Sequence, residues 1–414
     1  MKKHLVLLSV SFSLALPMYA EVRVWKNQKG QAISAEMTGL QGDKVMLKMA
    51  NGRVIPYALD QLSPEDQAYA RSMPAAGSAG DVQKGMTKGN VKLESATQLA
   101  FGPAGVLFIG DSRAAAIVAL ATGDTKPGKA REVKVEGIDQ KLAALLGTSV
   151  DQVLIQDVAV NPLSKNIYLA VSRGKGPDAT AVLARVDEKG EIQPVSLDGV
   201  MHSRAELSDA PTDGRQRQES ITDIAYFQEQ LLVAGLSNEE FASSFRSIPF
   251  PFQKVEKGTG VEIYHGAHGK FETRSPVRTF LPFSIGGQPS LLAAYTCTPL
   301  VQIPIKDLSP GAKIRGKTIA ELGGGNRPLD MILYEKGGKQ FVLMANSRHG
   351  IMKFSTDKME SVEAITEKTG VAGQPFETIK EWSGVDQLDV FDAQQALTLR
   401  RAGTSVNLET LSLP

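Results

Sequence analysis

Three aspartates, Asp157, Asp223 and Asp330, each open a short run of β-forming residues, and Gln98, Arg278 and Gln387 open three similar runs. Brought to one place, such groups could bind a polar ligand. The three aspartates could also hold a divalent cation such as calcium, which needs about six to eight oxygens and so a narrow opening. A second set recurs one run later, with Arg113 in Asp111-Ser112-Arg113, Arg173 after Ser172, and Arg348 in Ser347-Arg348-His349. The competing reading is structural and is favoured. Aspartate at a strand start commonly accepts backbone N–H bonds or pairs with arginine, and would then tie neighbouring sheets together.

Other candidates are weaker. His265 and His268 flank Gly266-Ala267, but no third ligand is signalled nearby, so an exposed hairpin tip is favoured over a metal site. Cys297, the single cysteine, reads as a buried thiol, and as a nucleophile it would need a histidine supplied by the fold, with His349 the candidate. Gly323-Gly324-Gly325-Asn326 is not followed by Lys-Ser/Thr or a helix, which excludes a phosphate loop. Residues 201–220 are strongly polar and read as a long solvated loop. Phe241, Phe245, Phe250 and Phe252 lie in a second insertion and are expected to tuck beneath it.

The elements that must position these residues are clearest at 329–354, LDMILYEKGGKQFVLMANSRHGIMKF, where three apolar runs are separated by Gly- and Asn-containing turns. That is the pattern of consecutive antiparallel strands. It recurs about six times, with inner strands starting at Gln98, Asp157, Asp223, Arg278, Asp330 and Gln387. The spacing is a little above the ~40–50 residues of propeller repeats. The chain is therefore expected to be all-β, with a six-bladed β-propeller over residues 91–414; seven blades is the alternative. The last unit has three strands, and Val91-Lys92-Leu93-Glu94 is expected to supply its fourth and so remove an open edge. In the first unit, Leu99-Ala100-Phe101-Gly102-Pro103-Ala104-Gly105-Val106-Leu107-Phe108-Ile109-Gly110-Asp111 resembles the NHL and SMP-30-like propeller repeats. That resemblance supports the fold rather than an activity.

Residues 1–20 join Lys2, Lys3 and His4 to an apolar stretch and a closing Ala20, the layout of a secretory signal peptide. The mature chain is expected to be exported, periplasmic or extracellular, with no membrane span after cleavage. The 42% apolar content of the full sequence belongs to an ordinary globular protein, and its net charge of +1 argues against a nucleic-acid binder. One cysteine excludes an internal disulfide.

Residues 21–73 form a separate module of four or five short strands, in which Ser63 fits as a helix N-cap with Pro64 at the first helical position. Asn51-Gly52 marks a type I′ hairpin turn. Arg23-x-Trp25, Gly30, Ala35, Val45-x-Leu47, Asn51-Gly52 and Leu62-Ser63-x-x-Asp66-x-x-Tyr69 resemble the SLA1 homology domain 1 family, over about 50 residues. The resemblance implies an SH3-like barrel and, from the yeast endocytic adaptor that gave the family its name, recognition of Asn-Pro-Phe peptides. No residue here specifies that peptide pocket, and Trp25, Tyr57 and Tyr69 read first as core. Residues 74–90, rich in Gly, Ala and Ser, read as a flexible linker.

Two modules that commonly bind partners, without a catalytic constellation, make a non-enzymatic scaffold or a protein- or peptide-binding protein the expected function. The alternative is a metal-dependent propeller hydrolase similar to the lactonases, using Asp157, Asp223 and Asp330 at the pore mouth.

Overall fold

In the computed structural model of the chain, residues 22–41, 44–49, 53–72, 82–212, 214–297 and 299–414 are described. The expected signal peptide, the Asn51-Gly52 turn and residues 74–81 of the expected linker lie outside them. Among the described residues no helix is long and apolar enough to cross a membrane.

The first module is a four-stranded antiparallel sheet, Val22–Lys26, Ala32–Gln41, Lys44–Met49 and Val54–Ala58, paired in chain order. A helix, Pro64–Ser72, follows. Trp25, Ala35, Val45, Leu47 and Leu62 make its core, and the Trp25 indole donates to the Ala35 carbonyl at 2.9 Å. Ser63 caps the helix, its Oγ accepting from the Asp66 N–H at 3.2 Å. Asp66 in turn accepts from the Lys26 N–H at 2.7 Å and the Arg23 Nε at 3.1 Å, so the first turn of the helix is also fastened to the first strand. Tyr69 meets Trp25 edge-on at 5.6 Å, in keeping with aromatic side chains that serve the core.

The remaining sheets are six blades. Their inner strands are Gln98–Phe101, Val153–Val160, Asp223–Phe227, Val277–Ile285, Pro328–Lys336 and Val385–Val390. Each continues outward through antiparallel neighbours. Second strands such as Val106–Asp111 and Gln230–Leu236 are apolar almost throughout, because both faces are covered by adjacent blades. Six separate apolar cores fill the six seams between blades.

Those seams show that the blades are not arranged in chain order. Numbered along the chain, the first blade packs on the third and the second, and the second packs on the sixth. Around the ring the order is one, three, four, five, six, two. After the first three strands of blade one, the chain crosses to blade six, where Lys134–Val135 pairs with Ser405–Ser412. It then builds blade two and returns to complete blade one with Val200–Glu206, paired on Ala116–Ala121.

Two expectations are corrected here. The fourth strand of the last blade is Lys134–Val135 and not residues 91–94; Val91 instead donates to the Leu197 carbonyl at 2.8 Å, beside blade two. Residues 201–220 are not a solvated loop throughout, since they begin as the outer strand of blade one and then bury Asp209 against Arg246. Of the expected linker, Thr87–Gly89 is a strand on the edge of Val200–Glu206. The aromatic insertion folds inward as expected: Phe250 meets Phe108 at 4.8 Å and Phe252 meets it at 6.0 Å.

Candidate functional site

Cross-strand pairing fixes which inner-strand residues share a level of the ring. Gln98, Asp157, Asp223, Asp330 and Gln387 stand opposite Gly110, Ala170, Ala234, Ala345 and Leu399, the matching positions of five second strands. In blade four that position is Thr279, opposite Ala294, and not Arg278. A β-bulge causes the difference. Bulges interrupt four inner strands just ahead of this level, leaving Gln156, Arg278, Leu329 and Asp386 unpaired. A bulge adds a residue and re-aims its side chain.

At the channel level the aspartates are brought to one ring, but each is already committed. Asp157 Oδ1 accepts from the Val158 N–H at 2.8 Å, and its Oδ2 accepts from Leu99 of blade one at 2.6 Å. Asp223 does the same with Ile224 and with Phe280 of blade four, both at 2.8 Å. Asp330 bonds Met331 and Leu388 of blade six, both at 2.7 Å. Asp389, which the sequence reading missed because it lies two residues beyond Gln387, bonds Val390 at 2.7 Å and Val160 of blade two at 2.6 Å. Four of the six seams are thus stitched by one carboxylate each.

Burial raises the pKa of all four carboxyls, Asp223 to about 7 and Asp389 to about 6, against the lowering effect of the N–H donors. Asp157 and Asp330 are pushed well up by burial, with neighbouring channel aspartates adding repulsion. Among the described residues, the trio of His, Cys, Asp or Glu whose ligand atoms converge within 4.8 Å does not include Asp157, Asp223 or Asp330.

Above this ring, the bulges and the second-to-third strand connections enclose a cavity of about 820 Å³ at the channel mouth. Gln98, Arg278, Gln387 and Arg113 line it, as the sequence placed them, and so do Gln156, Glu219, Arg327 and Asp386, which it did not single out. Arg173 and Arg348 are exposed and lie outside the lining; Arg348 donates to the Gly324 carbonyl at 2.8 Å. Arg113 is partly engaged, donating to the Ala179 carbonyl at 3.1 Å and to that of Pro177.

Arg278 and Arg327 share one wall. Arg278 donates to Thr296 Oγ1 at 2.6 Å and pairs with Glu219 at 3.0 Å. Burial and the neighbouring Arg278 both push the Arg327 pKa down, with Glu219 opposing. Two guanidinium groups therefore face one carboxylate. The wall suits a carboxylate or another planar anion, which guanidinium can grip through two parallel bonds.

The other sequence candidates lie elsewhere. Cys297 is half-buried and sits at φ 62°. The ring of His349 is held by the Leu322 carbonyl on Nε2, at 2.8 Å, and packs edge-on against Phe376.

Residues 14–77 match the model of the family SLA1 homology domain 1, SHD1. No curated protein sequence matches the chain. Among solved structures, the chain is similar to virginiamycin B lyase from Staphylococcus aureus, at 10% identity and a TM-score of 0.31, covering 94% of each chain. It is also similar to the PQQ-bound aldose sugar dehydrogenase of Streptomyces coelicolor, at 12% identity and a TM-score of 0.25, covering 78% of this chain and 96% of that one. A third similarity, covering 80% of this chain and 29% of the other at 9% identity and a TM-score of 0.32, is to Raptor of Chaetomium thermophilum. The propeller rests on the blades and seams described above and not on these likenesses.

Proposed function

We propose that this chain is an exported, non-enzymatic binding protein whose channel mouth takes an anionic stretch of a protein or peptide partner. The observation that carries the reading is the pairing of Arg278 and Arg327 against the single Glu219 in a polar cavity of about 820 Å³. A cavity of this size admits a few residues of extended peptide. The surplus cation supplies orientation and the bulge residues supply amide and carboxylate partners. The SHD1 resemblance adds a second module of a kind associated with peptide recognition.

The channel aspartates support the same reading from the other side. Their oxygens satisfy backbone N–H groups across the seams, so they serve the ring and are not free for a nucleophile or a cation. The test uses the mature chain and a panel of acidic, neutral and basic hexapeptides in isothermal titration. Saturable binding confined to the acidic peptides, and lost in Arg278→Ala/Arg327→Ala, supports the proposal. Equal binding of all three classes, or turnover of a lactone panel that Asp223→Asn abolishes, overturns it in favour of the hydrolase.

A further inference from the structure

The outer hairpin of blade three holds a second chemical cluster. Thr259–His265 pairs with Lys270–Glu272, with Ile263 opposite Glu272 and His265 opposite Lys270. Side chains two residues apart on a strand share a face, so His265 stands diagonally beside Glu272. The turn between the strands folds back tightly, with the His268 and Gly269 N–H groups both bonding the His265 carbonyl, at 3.1 and 2.8 Å. This brings His268 over the same carboxylate.

We propose that His265, His268 and Glu272 form a binding site for a divalent transition metal of the zinc class. The two imidazoles aim Nδ1 at the two oxygens of one carboxylate: His265 Nδ1 lies 3.0 Å from Glu272 Oε2, and His268 Nδ1 lies 2.7 Å from Oε1. Their ring centroids lie 3.8 Å apart, with the planes tilted by 35°. Among the described residues this is the trio whose ligand atoms converge. Two imidazole nitrogens and a carboxylate are a set that zinc accepts in tetrahedral sites, and they are softer than the all-oxygen set that calcium prefers. On binding, the ion takes the place of the Nδ1 protons, which leave to solvent. The fourth position goes to water, since His268 is 47% exposed.

Two buried groups point to an incomplete site. His265 is only 2% exposed, and its Nε2 has no hydrogen-bond partner. Glu321 is fully buried against the same turn, with Oε1 accepting from the Gly266 N–H at 2.5 Å and Oε2 unpartnered. Buried polar atoms without partners are costly. Outer carboxylates beside ligating histidines are a regular part of metal sites. The close approach depends on Gly266, where a Cβ would fall 2.7 Å from Glu321 Cγ.

The test uses the full mature chain, freed of metal by dialysis against EDTA and titrated with Zn²⁺ and, separately, Co²⁺. One equivalent of Co²⁺ with the strong visible absorption of a tetrahedral ion is expected, displaced by Zn²⁺. His268→Ala, a half-exposed position whose loss the fold tolerates, abolishes the absorption, and Glu272→Gln weakens uptake at least ~10-fold. His349→Ala leaves it unchanged. Absence of stoichiometric uptake, or uptake that survives His268→Ala, overturns the proposal.

Discussion

Arg246 Nε lies 2.8 Å from Asp209 Oδ1, with both side chains almost wholly buried. Asp209 Oδ2 also accepts from the Gly258 N–H at 2.9 Å, and Arg246 donates to the Leu236 carbonyl at 3.3 Å. The pair joins the polar segment that follows the outer strand of blade one to the third strand of blade three. Breaking a buried pair leaves an uncompensated charge, which costs about 3–5 kcal/mol. Asp209→Ala should therefore lower stability by that amount in urea unfolding. The double variant Asp209→Ala/Arg246→Met should recover part of the loss, and a double variant no more stable than the single one contradicts the buried-charge account.

The seam carboxylates predict a second, graded series. Asp330→Ala leaves the Met331 and Leu388 N–H groups without acceptors, at about 1–3 kcal/mol for each. Asp330→Asn keeps one acceptor and should cost less. Urea midpoints of the two variants, measured against the parent, check the order. Equal midpoints for parent and Asp330→Ala would show that the carboxylate does not stitch blades five and six.

Stability should also depend on pH in a direction opposite to that of ordinary surface carboxylates. Asp223 is held near 7 and Asp389 near 6 in the fold, above the unfolded value of 3.8. Between those values the folded chain binds more protons than the unfolded one, so this contribution is fully present below about pH 4 and is lost as pH rises towards 7. The slope approaches about 1.4 kcal/mol per pH unit for each such group. Asp223→Asn should flatten the difference between thermal midpoints at pH 4.5 and pH 7; an unchanged difference refutes the assignment.

At the channel mouth, Arg278→Ala should weaken an acidic peptide by about 10–100-fold, the loss of a charge-assisted bond of about 1.5–3 kcal/mol. Its effect on stability should stay within about 1 kcal/mol, as the Glu219 partner is half-exposed. Raising salt from 0.05 to about 0.5 M should weaken the parent more than the variant, because screening acts on the cation that the variant lacks. Equal salt dependence in both would place the anion elsewhere.

Much of the ring was legible in local pattern. Five inner strands begin within two residues of Gln98, Asp223, Arg278, Asp330 and Gln387, and the blade-two strand begins at Val153, ahead of Asp157, because apolar runs between turn residues report strands directly. Ser63 read correctly as a cap for the same local reason. What failed was non-local. Lys134–Val135 is two residues in a charged stretch, too short to carry a period, and Val200–Glu206 shows little alternation because only Ala205 of its seven residues is buried. Arg278 was placed one residue off by a bulge, which no composition signals. Glu272 joins His265 and His268 only through hairpin register, so the sequence offered two histidines and no third ligand.

The displaced strands set a timetable for biosynthesis. When the ribosome has delivered Ala116–Ala121, blade one presents a bare edge that stays open until Val200–Glu206 emerges, after the whole of blade two has been made. Lys134–Val135 waits longer still, for Ser405–Ser412. An apolar strand left unpaired is a template for intermolecular pairing. Until its closing strands dock, a folding chain therefore exposes apolar strand edges that favour self-association.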